Sequence, residues 1–391
     1  MRHIGTQAFG IRLPIISQGD DLAGIVADSL YNAMQSQSLT LKETDVVGVT
    51  EALLAKSQGN FASIDDIAED IRRKYPEGTV GLVFPIFSRN RFVNILKGIA
   101  RGAKKVYVLL QYPQDEVGNP LMDMEDVDAL FDSGRNFFTG DEFRQISRNF
   151  KHPFTNVDYI QLYQDVGGNV EVHVSNDPRR ILELTKHVLV GEIHNRTRTK
   201  KRLLKAGAEV VHTLSDILAE PVNGSGYNTD YGVLGSNLST SEELKLFPRD
   251  CDAFVGLVRE KIARRCGVAP EVMVYGDGAF KDPQAGIWEL ADPVVSPGYT
   301  FGLNGRPNEL KIKYVAENIF RGLSGEEKTA AITNMIREKR EDGDKHCINE
   351  GTTPRNYTDL LGSLCDLISG SGDKGTPVVL IQGYFDDYSC S

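Results

Sequence analysis

Short apolar runs, each closed off by glycine, proline or a polar cluster, recur along the whole chain. Val46 to Thr50, Val80 to Ile86, Val106 to Gln111, Val170 to Ser175, Val272 to Tyr275 and Val378 to Gln382 are rich in β-branched residues and predict buried strands. A further short apolar run covers Glu209 to His212. Between the runs the period changes. Leu22, Ile25, Val26, Ser29 and Leu30 fall on one helical face, with Asp20 or Asp21 as N-cap. Helices are expected at 65–75, 90–101, 178–189, 252–266 and 359–368, and over part of 317–339, with breaks near Gly322 and Gly325. Residues 2–16 read as extended, and 115–158, with little periodicity, as mainly loop.

Two glycine-rich passages carry the chemistry. In the stretch from Glu271 to Pro297 the apolar run ends in Gly276, Asp277 and Gly278. An acid between two glycines at the end of a buried strand suits a hard cation such as Mg²⁺, which takes one or two carboxylates and fills its shell with water and phosphate. The competing reading is a turn cap, since Asp and Gly are ordinary turn residues. The second passage runs from Ser369 to Tyr384. Its loop precedes a strand, so it is neither a Walker A loop nor a dinucleotide fingerprint, both of which lead into a helix. It reads either as an anion-binding nest, with Lys374 adding charge and Asp373 a second carboxylate, or as a flexible hairpin loop. Val222 to Asn237, dense in Gly, Asn, Ser and Asp, reads as a functional or connecting loop. Lys56 and the basic run Arg196, Arg198, Lys200, Lys201, Arg202 read first as solvated surface and second as phosphate contacts.

Composition narrows the class. At 391 residues the chain exceeds one ordinary core, so two domains are expected. A formal net charge of −10 argues against a broad nucleic-acid surface. The five cysteines form no C-x-x-C pair, which fits reduced thiols in a cytoplasmic protein, and no apolar run is long enough to span a membrane. The seven histidines form no metal-binding spacing, and no nucleophile–base arrangement stands out. Carboxylates and glycine loops are the chemical vocabulary, which favours metal–phosphate chemistry.

Several pieces, in order, resemble the coenzyme F420-0:γ-glutamyl ligases, which attach L-glutamate to a deazaflavin precursor using GTP and a divalent metal. IRLPIISQGDDLAGIV (Ile11 to Val26) is similar to the family's N-terminal segment, and VTEALLAKSQG (Val49 to Gly59) to its strand ending in S-K-A-E-G. YGVLGSN and the later LFP resemble its G-I-D-x-S-N loop and LLP run. VMVYGDGAFKDP resembles its metal-binding strand, and TDLLGSLCDLISGSGDKGTPVVLIQGY its closing helix, loop and strand.

The resemblance implies a mixed α+β and α/β fold: a ligase-like core from 1–60 and 225–391, with an inserted α/β domain at 61–224. It implies that Leu13, Pro14, Ile15 and Ile16 line the guanine nucleotide site, with Lys56 near phosphate. Asn237 takes the place of a nucleotide-contacting Asn, and Ser371, Gly372, Lys374 and Gly375 belong to the second nucleotide segment. Asp277 takes the place of a metal ligand. Leu234, Gly278 and Ser371 stand where the family has Asp, Thr and Glu, and Asp230 and Asp373 are the candidates to compensate. The implied cofactor is Mg²⁺ or Mn²⁺ with GTP as co-substrate, and the implied partners are L-glutamate, a small-molecule carboxylate acceptor and a second copy in a homodimer. The implied reaction forms a γ-glutamyl amide through an acyl phosphate. The alternatives are γ-glutamylation of another acceptor such as a folate, or nucleotide binding without turnover in a regulatory protein.

Overall fold

The computed structural model describes residues 4–116, 118–147, 149–153, 155–276, 279–281, 288–290, 295–307, 309–339, 355–369, 374–387 and 389. The chain opens with β1 (Gln7–Ile11), α1 (Leu22–Gln37), β2 (Val46–Thr50) and α2 (Glu51–Ser57). Of the two N-cap candidates, Asp21 caps α1, its carboxylate accepting from Gly24 N at 3.1 Å. Asp20 instead accepts from Ser17 N at 2.7 Å and closes the turn before it.

Then follow β3 (Phe61–Ser63), α3 (Ile64–Lys74), β4 (Thr79–Val83), α4 (Arg89–Gly102) and β5 (Lys105–Leu110). The stretch 115–158 is more regular than its sequence suggests, with α5 (Met124–Asp132), β6 (Phe138–Thr139) and α6 (Gly140–Ile146). A capping box between Thr139 and Glu142 starts α6, and Leu130, Phe138, Phe143 and Phe150 bury together. Short elements contribute only one or two apolar residues each, so no period shows. After α7 (Tyr159–Gln164) and β7 (Val170–Val174), the helix expected over 178–189 divides. Pro178–Glu183 is a 3₁₀ turn, and His187–Val190 is a buried strand, β8. α8 (Arg196–Lys205) and β9 (Val210–Thr213) complete this part.

The remainder comprises β10 (Asn237–Thr240), β11 (Glu243–Lys245), α9 (Cys251–Cys266), β12 (Glu271–Gly276), β13 (Ala279–Lys281), β14 (Trp288–Leu290) and β15 (Val295–Tyr299). α10 (Ile312–Tyr314) runs into a π turn, and α11 (Gly325–Lys339), α12 (Tyr357–Ser369) and β16 (Val378–Gln382) follow.

Two large sheets result. The first has the order β1-β16-β2-β12-β15, with only β2 and β12 parallel. Both faces are covered, which is why its strands read as unbroken apolar runs. Val47, Val49, Val272, Val274, Val378 and Leu380 face a cluster with α1 and α9. Val46, Met273, Tyr275, Val379 and Ile381 face α12 through Leu361 and Cys365. The second sheet has the order β6-β7-β5-β4-β8-β9, all parallel except β6. Its parallel strands follow the 3-2-1-4-5 order of a doubly wound sheet. A three-stranded sheet, β10-β11-β3, lies apart from both. Its Ala62 and Leu244, with Val233, Leu234 and Leu246, bury in the apolar cluster of the six-stranded sheet.

Candidate functional site

Strand direction decides what meets what. β2 and β12 are parallel with Thr50 opposite Tyr275, while β16 runs antiparallel to β2 with Val378 opposite Val49. β1 pairs with β16 so that Ile11 lies opposite Val378, and β15 starts opposite Gly276. Ile11, Thr50, Gly276 and Val378 therefore all lie at one end of the five-stranded sheet. Backbone bonds tie them there: Leu13 N donates to Gly375 O at 3.3 Å, and Thr50 N to Pro377 O at 3.1 Å.

This end gathers part of the expected nucleotide segments. Leu13 is half-buried and Ile16 fully buried, while Pro14, Ile15, Lys374 and Gly375 are exposed beside it. Gly375 takes a φ of +63°, a left-handed conformation that favours glycine. Lys56 is exposed on the last turn of α2. Five residues from Glu51, it is rotated by about 140° around the helix, away from that residue's face. Ser371, Gly372, Asp373, Asp277 and Gly278 lie outside the described residues.

Asn237 reaches the site through the small sheet. It pairs directly with Lys245 across β10 and β11, and Lys245 Nζ stands 3.9 Å from Glu51 Oε1. Glu51, the first residue of α2, is buried, and its side chain crosses the end of β12. A Cβ on Gly276 would lie 2.1 Å from Glu51 Cγ. Glycine at 276 leaves room for the Glu51 side-chain methylene that occupies that space.

Asp230 lines a pocket of about 420 Å³ formed by Tyr227–Tyr231, Pro248–Ala253 and Pro297. Buried Asn228 holds its rim, accepting from Asp230 N at 3.0 Å and Tyr231 N at 2.9 Å and donating to Pro248 O at 3.0 Å. Arg249 stacks over the Tyr227 ring at 4.6 Å and donates to Asn60 Oδ1, which also accepts from Tyr227 N at 2.9 Å. Asn60, Asn228 and Arg249 escaped the sequence reading because single polar residues carry no period. The departure at Leu234 has a structural counterpart: its side chain is buried among apolar groups and offers no donor atom.

Cys251 forms the pocket wall at the start of α9. Burial first, then the charges of Asp252, Glu51 and Asp250, push its thiol up to about 12. The thiol is protonated at neutral pH and is not a nucleophile. Iodoacetamide at pH 8 is therefore expected to label Cys251 only after denaturation. Rapid labelling of the native chain, located by peptide mass spectrometry, would contradict this environment.

A divalent cation is compatible with the donor chemistry. Among the described residues no three His, Cys, Asp or Glu side chains gather into a metal-holding group. Mg²⁺, however, commonly uses one or two carboxylates together with substrate phosphate. Glu51 is a hard oxygen donor at this sheet end, and Asp277 follows Gly276 directly in the chain.

The family model for F420-0:gamma-glutamyl ligases matches residues 10–383. The chain belongs to that family. Its members are ligases, so this protein is an enzyme of the bond-joining class acting on small molecules. Comparison with curated proteins returns no match. No helix among the described residues is long and apolar enough to cross a membrane. The match runs through the six-stranded sheet as well as the five-stranded one, and all the ligase-like segments noted in the sequence lie wholly or partly within it.

Proposed function

We propose that this ligase forms a γ-glutamyl amide using GTP and Mg²⁺ or Mn²⁺. The observation that supports this best is the convergence at one sheet end. Leu13 and Gly375 meet through backbone, Thr50 is bonded to Pro377, and Asn237 pairs with the lysine that faces Glu51. A carboxylate of the acceptor attacks the γ-phosphate of GTP, breaking the bond to the β-phosphate oxygen and releasing GDP. The resulting acyl phosphate is captured by the amine of L-glutamate, which loses a proton as phosphate leaves. A bound divalent metal supplies charge neutralisation at the phosphates, with Asp277 as its first ligand and Asp230 or Asp373 as further candidates.

The chain's own part is positioning. The 12–16 and 374–376 segments form one backbone-bonded wall for the nucleotide. Lys374 and Lys56 are the cations assigned to phosphate, and Ser371 and Gly372 are assigned to the second nucleotide segment. Holding the reactants in line accounts for much of such a rate, since little covalent chemistry falls to the protein. Residues 61–224 are proposed as an inserted unit with its own sheet, and the working form as a cytoplasmic homodimer.

The test incubates the protein with GTP or ATP, Mg²⁺ or Mn²⁺, L-glutamate and one acceptor, either a deazaflavin precursor or a folate. Nucleoside diphosphate release that requires both glutamate and acceptor supports ligation and names the acceptor class. Tight nucleotide binding without turnover for any acceptor would overturn the catalytic reading in favour of a regulatory one.

A further inference from the structure

The basic run noted in the sequence takes no part in the convergence at the five-stranded sheet. It forms α8, in which Arg196, Arg198, Lys200, Lys201, Arg202 and Lys205 make up six of ten residues and no acid occurs. α8 follows β8, the fourth strand of the 3-2-1-4-5 order, which pairs with the first, β4, where that order reverses. Ligands of doubly wound sheets bind outside the carboxyl ends of strands at such a reversal, and helix N-termini there favour anions. α8 buries Thr199 and Leu203 against the sheet. Helical spacing puts Arg198, Lys201, Arg202 and Lys205 within about 100° of one another, on a face turned away from it. There they line a hollow of about 530 Å³ with His194, Asn195 and Thr197. That is the size of a small-molecule site.

A merely solvated helix does not account for this face. Exposed helices gain from an acid placed four residues before a base. α8 has none, and its pairs Arg198–Arg202 and Lys201–Lys205 set like charges at that spacing. The cations of the last turn suit the helix dipole, but Arg196 and Arg198 sit in the first turn, where it disfavours positive charge. Neighbouring groups offset only part of the excess. Lys200 donates to Asp216 at 3.3 Å, Arg202 to Asp177 at 3.4 Å and Arg196 to Ile193 O at 2.5 Å. Arg198, Lys201 and Lys205 make no ion pair or side-chain hydrogen bond among the described residues, in a chain of formal net charge −10. A bound anion relieves both the repulsion and the clash with the dipole. The patch is narrow, because Asp177, Glu192 and Asp216 all bond to α8 at its borders. A nucleic-acid strand or an anionic membrane laid across it would meet those carboxylates. Two guanidinium and two ammonium groups call for at least two negative charges, more than a single carboxylate carries.

We propose that the exposed face of α8 is a second binding site, for a small molecule carrying two or more phosphate groups. Arg198 and Arg202 hold phosphate oxygens with their planar forks, and Lys201 and Lys205 add point charges. Asn195 closes the hollow at the start of the helix. The site belongs to the six-stranded sheet and does not rest on the ligase reading above.

The experiment titrates sodium tripolyphosphate into the full-length chain by calorimetry, at about 0.15 M salt and without divalent metal. Saturable binding is expected, and Arg198→Gln and Lys201→Gln should each weaken it by about tenfold. Lys200→Gln removes the same charge one residue away, on another face, and should leave the affinity nearly unchanged. Equal losses in Lys200→Gln and Lys201→Gln would mean diffuse attraction and overturn the site. Without ligand, the melting temperatures of Arg198→Gln and Lys201→Gln should equal or slightly exceed that of the wild type, because like-charge contacts are relieved. Lowered melting temperatures in both would assign these residues to folding and overturn the proposal. So would a wild-type chain that binds no tripolyphosphate, or binding that survives when both substitutions are combined. A parallel titration with GTP distinguishes the source of the phosphates. GTP bound more tightly than tripolyphosphate, and lost in the double variant, supports a nucleotide; equal or weaker binding supports the phosphate chain alone. A single-stranded RNA bound more tightly than either, and lost in the same variant, overturns the small-molecule ligand in favour of nucleic acid.

Discussion

Asp277→Asn is expected to weaken binding of metal-bound GTP by at least about tenfold while the fold survives. Asparagine preserves the shape of the side chain but carries no charge, so a hard divalent cation loses an anionic ligand. Tenfold corresponds to about 1.4 kcal/mol. Ligand binding stabilises the folded chain by mass action, so the rise in melting temperature on adding Mn²⁺ and GTP should shrink by the corresponding amount. The turn-cap reading predicts a different pattern, in which stability falls by about 1 kcal/mol and nucleotide affinity is untouched. Paired melting curves, with and without metal and nucleotide, separate the two. An undiminished ligand-induced shift in the variant would remove Asp277 from the site.

Gly235→Ala should produce a large loss of stability in the loop that leads to Asn237. Gly235 sits at φ +75°, and a Cβ there would lie 1.9 Å from the Phe247 ring. A left-handed conformation costs a non-glycine residue roughly 1–2 kcal/mol. Overpacking against a buried ring adds about 1–3 kcal/mol more. The ring cannot simply swing away, because Phe247 is buried and packs against Tyr231 at 5.3 Å between centroids. Its carbonyl also accepts from Asn60 and Asn228, the residues that hold the Asp230 pocket together. The variant should therefore unfold at lower urea and lose nucleotide affinity together. A urea midpoint equal to wild type would show that the loop can relax around the methyl group.

Local sequence carried a good part of this structure. The six strongest apolar runs all became strands, because β-branched residues buried on both faces leave the backbone few alternatives. The carboxylate of Asp21 and the glycines at 235 and 375 are likewise local devices, legible from residue type next to a turn. Where apolar residues were too few to set a period, the reading failed. The 3₁₀ turn and β8 within 178–189 hold only a handful of core residues each, and 115–158 hides two helices behind the same sparseness.

The site divides along the same line. Motif resemblance marked the segments around Leu13, Asn237 and Gly375, whose chemistry is written in residue type and order. It marked the Val49 to Gly59 segment without singling out Glu51, and did not mark Lys245, since an acid after a strand and a lysine in a short β run look like ordinary surface residues. What brings them together is strand pairing between segments remote in sequence: β16 inserts between β1 and β2, β12 lies parallel to β2, and β11 pairs with β3. Sequence alone determined that the strongest apolar runs would be buried strands, because that choice rests on side-chain shape and backbone freedom at each position. Only the tertiary structure decided that Glu51 would lie across Gly276 with Lys245 facing it, because burial of a charge depends on neighbours that the folded sheet supplies.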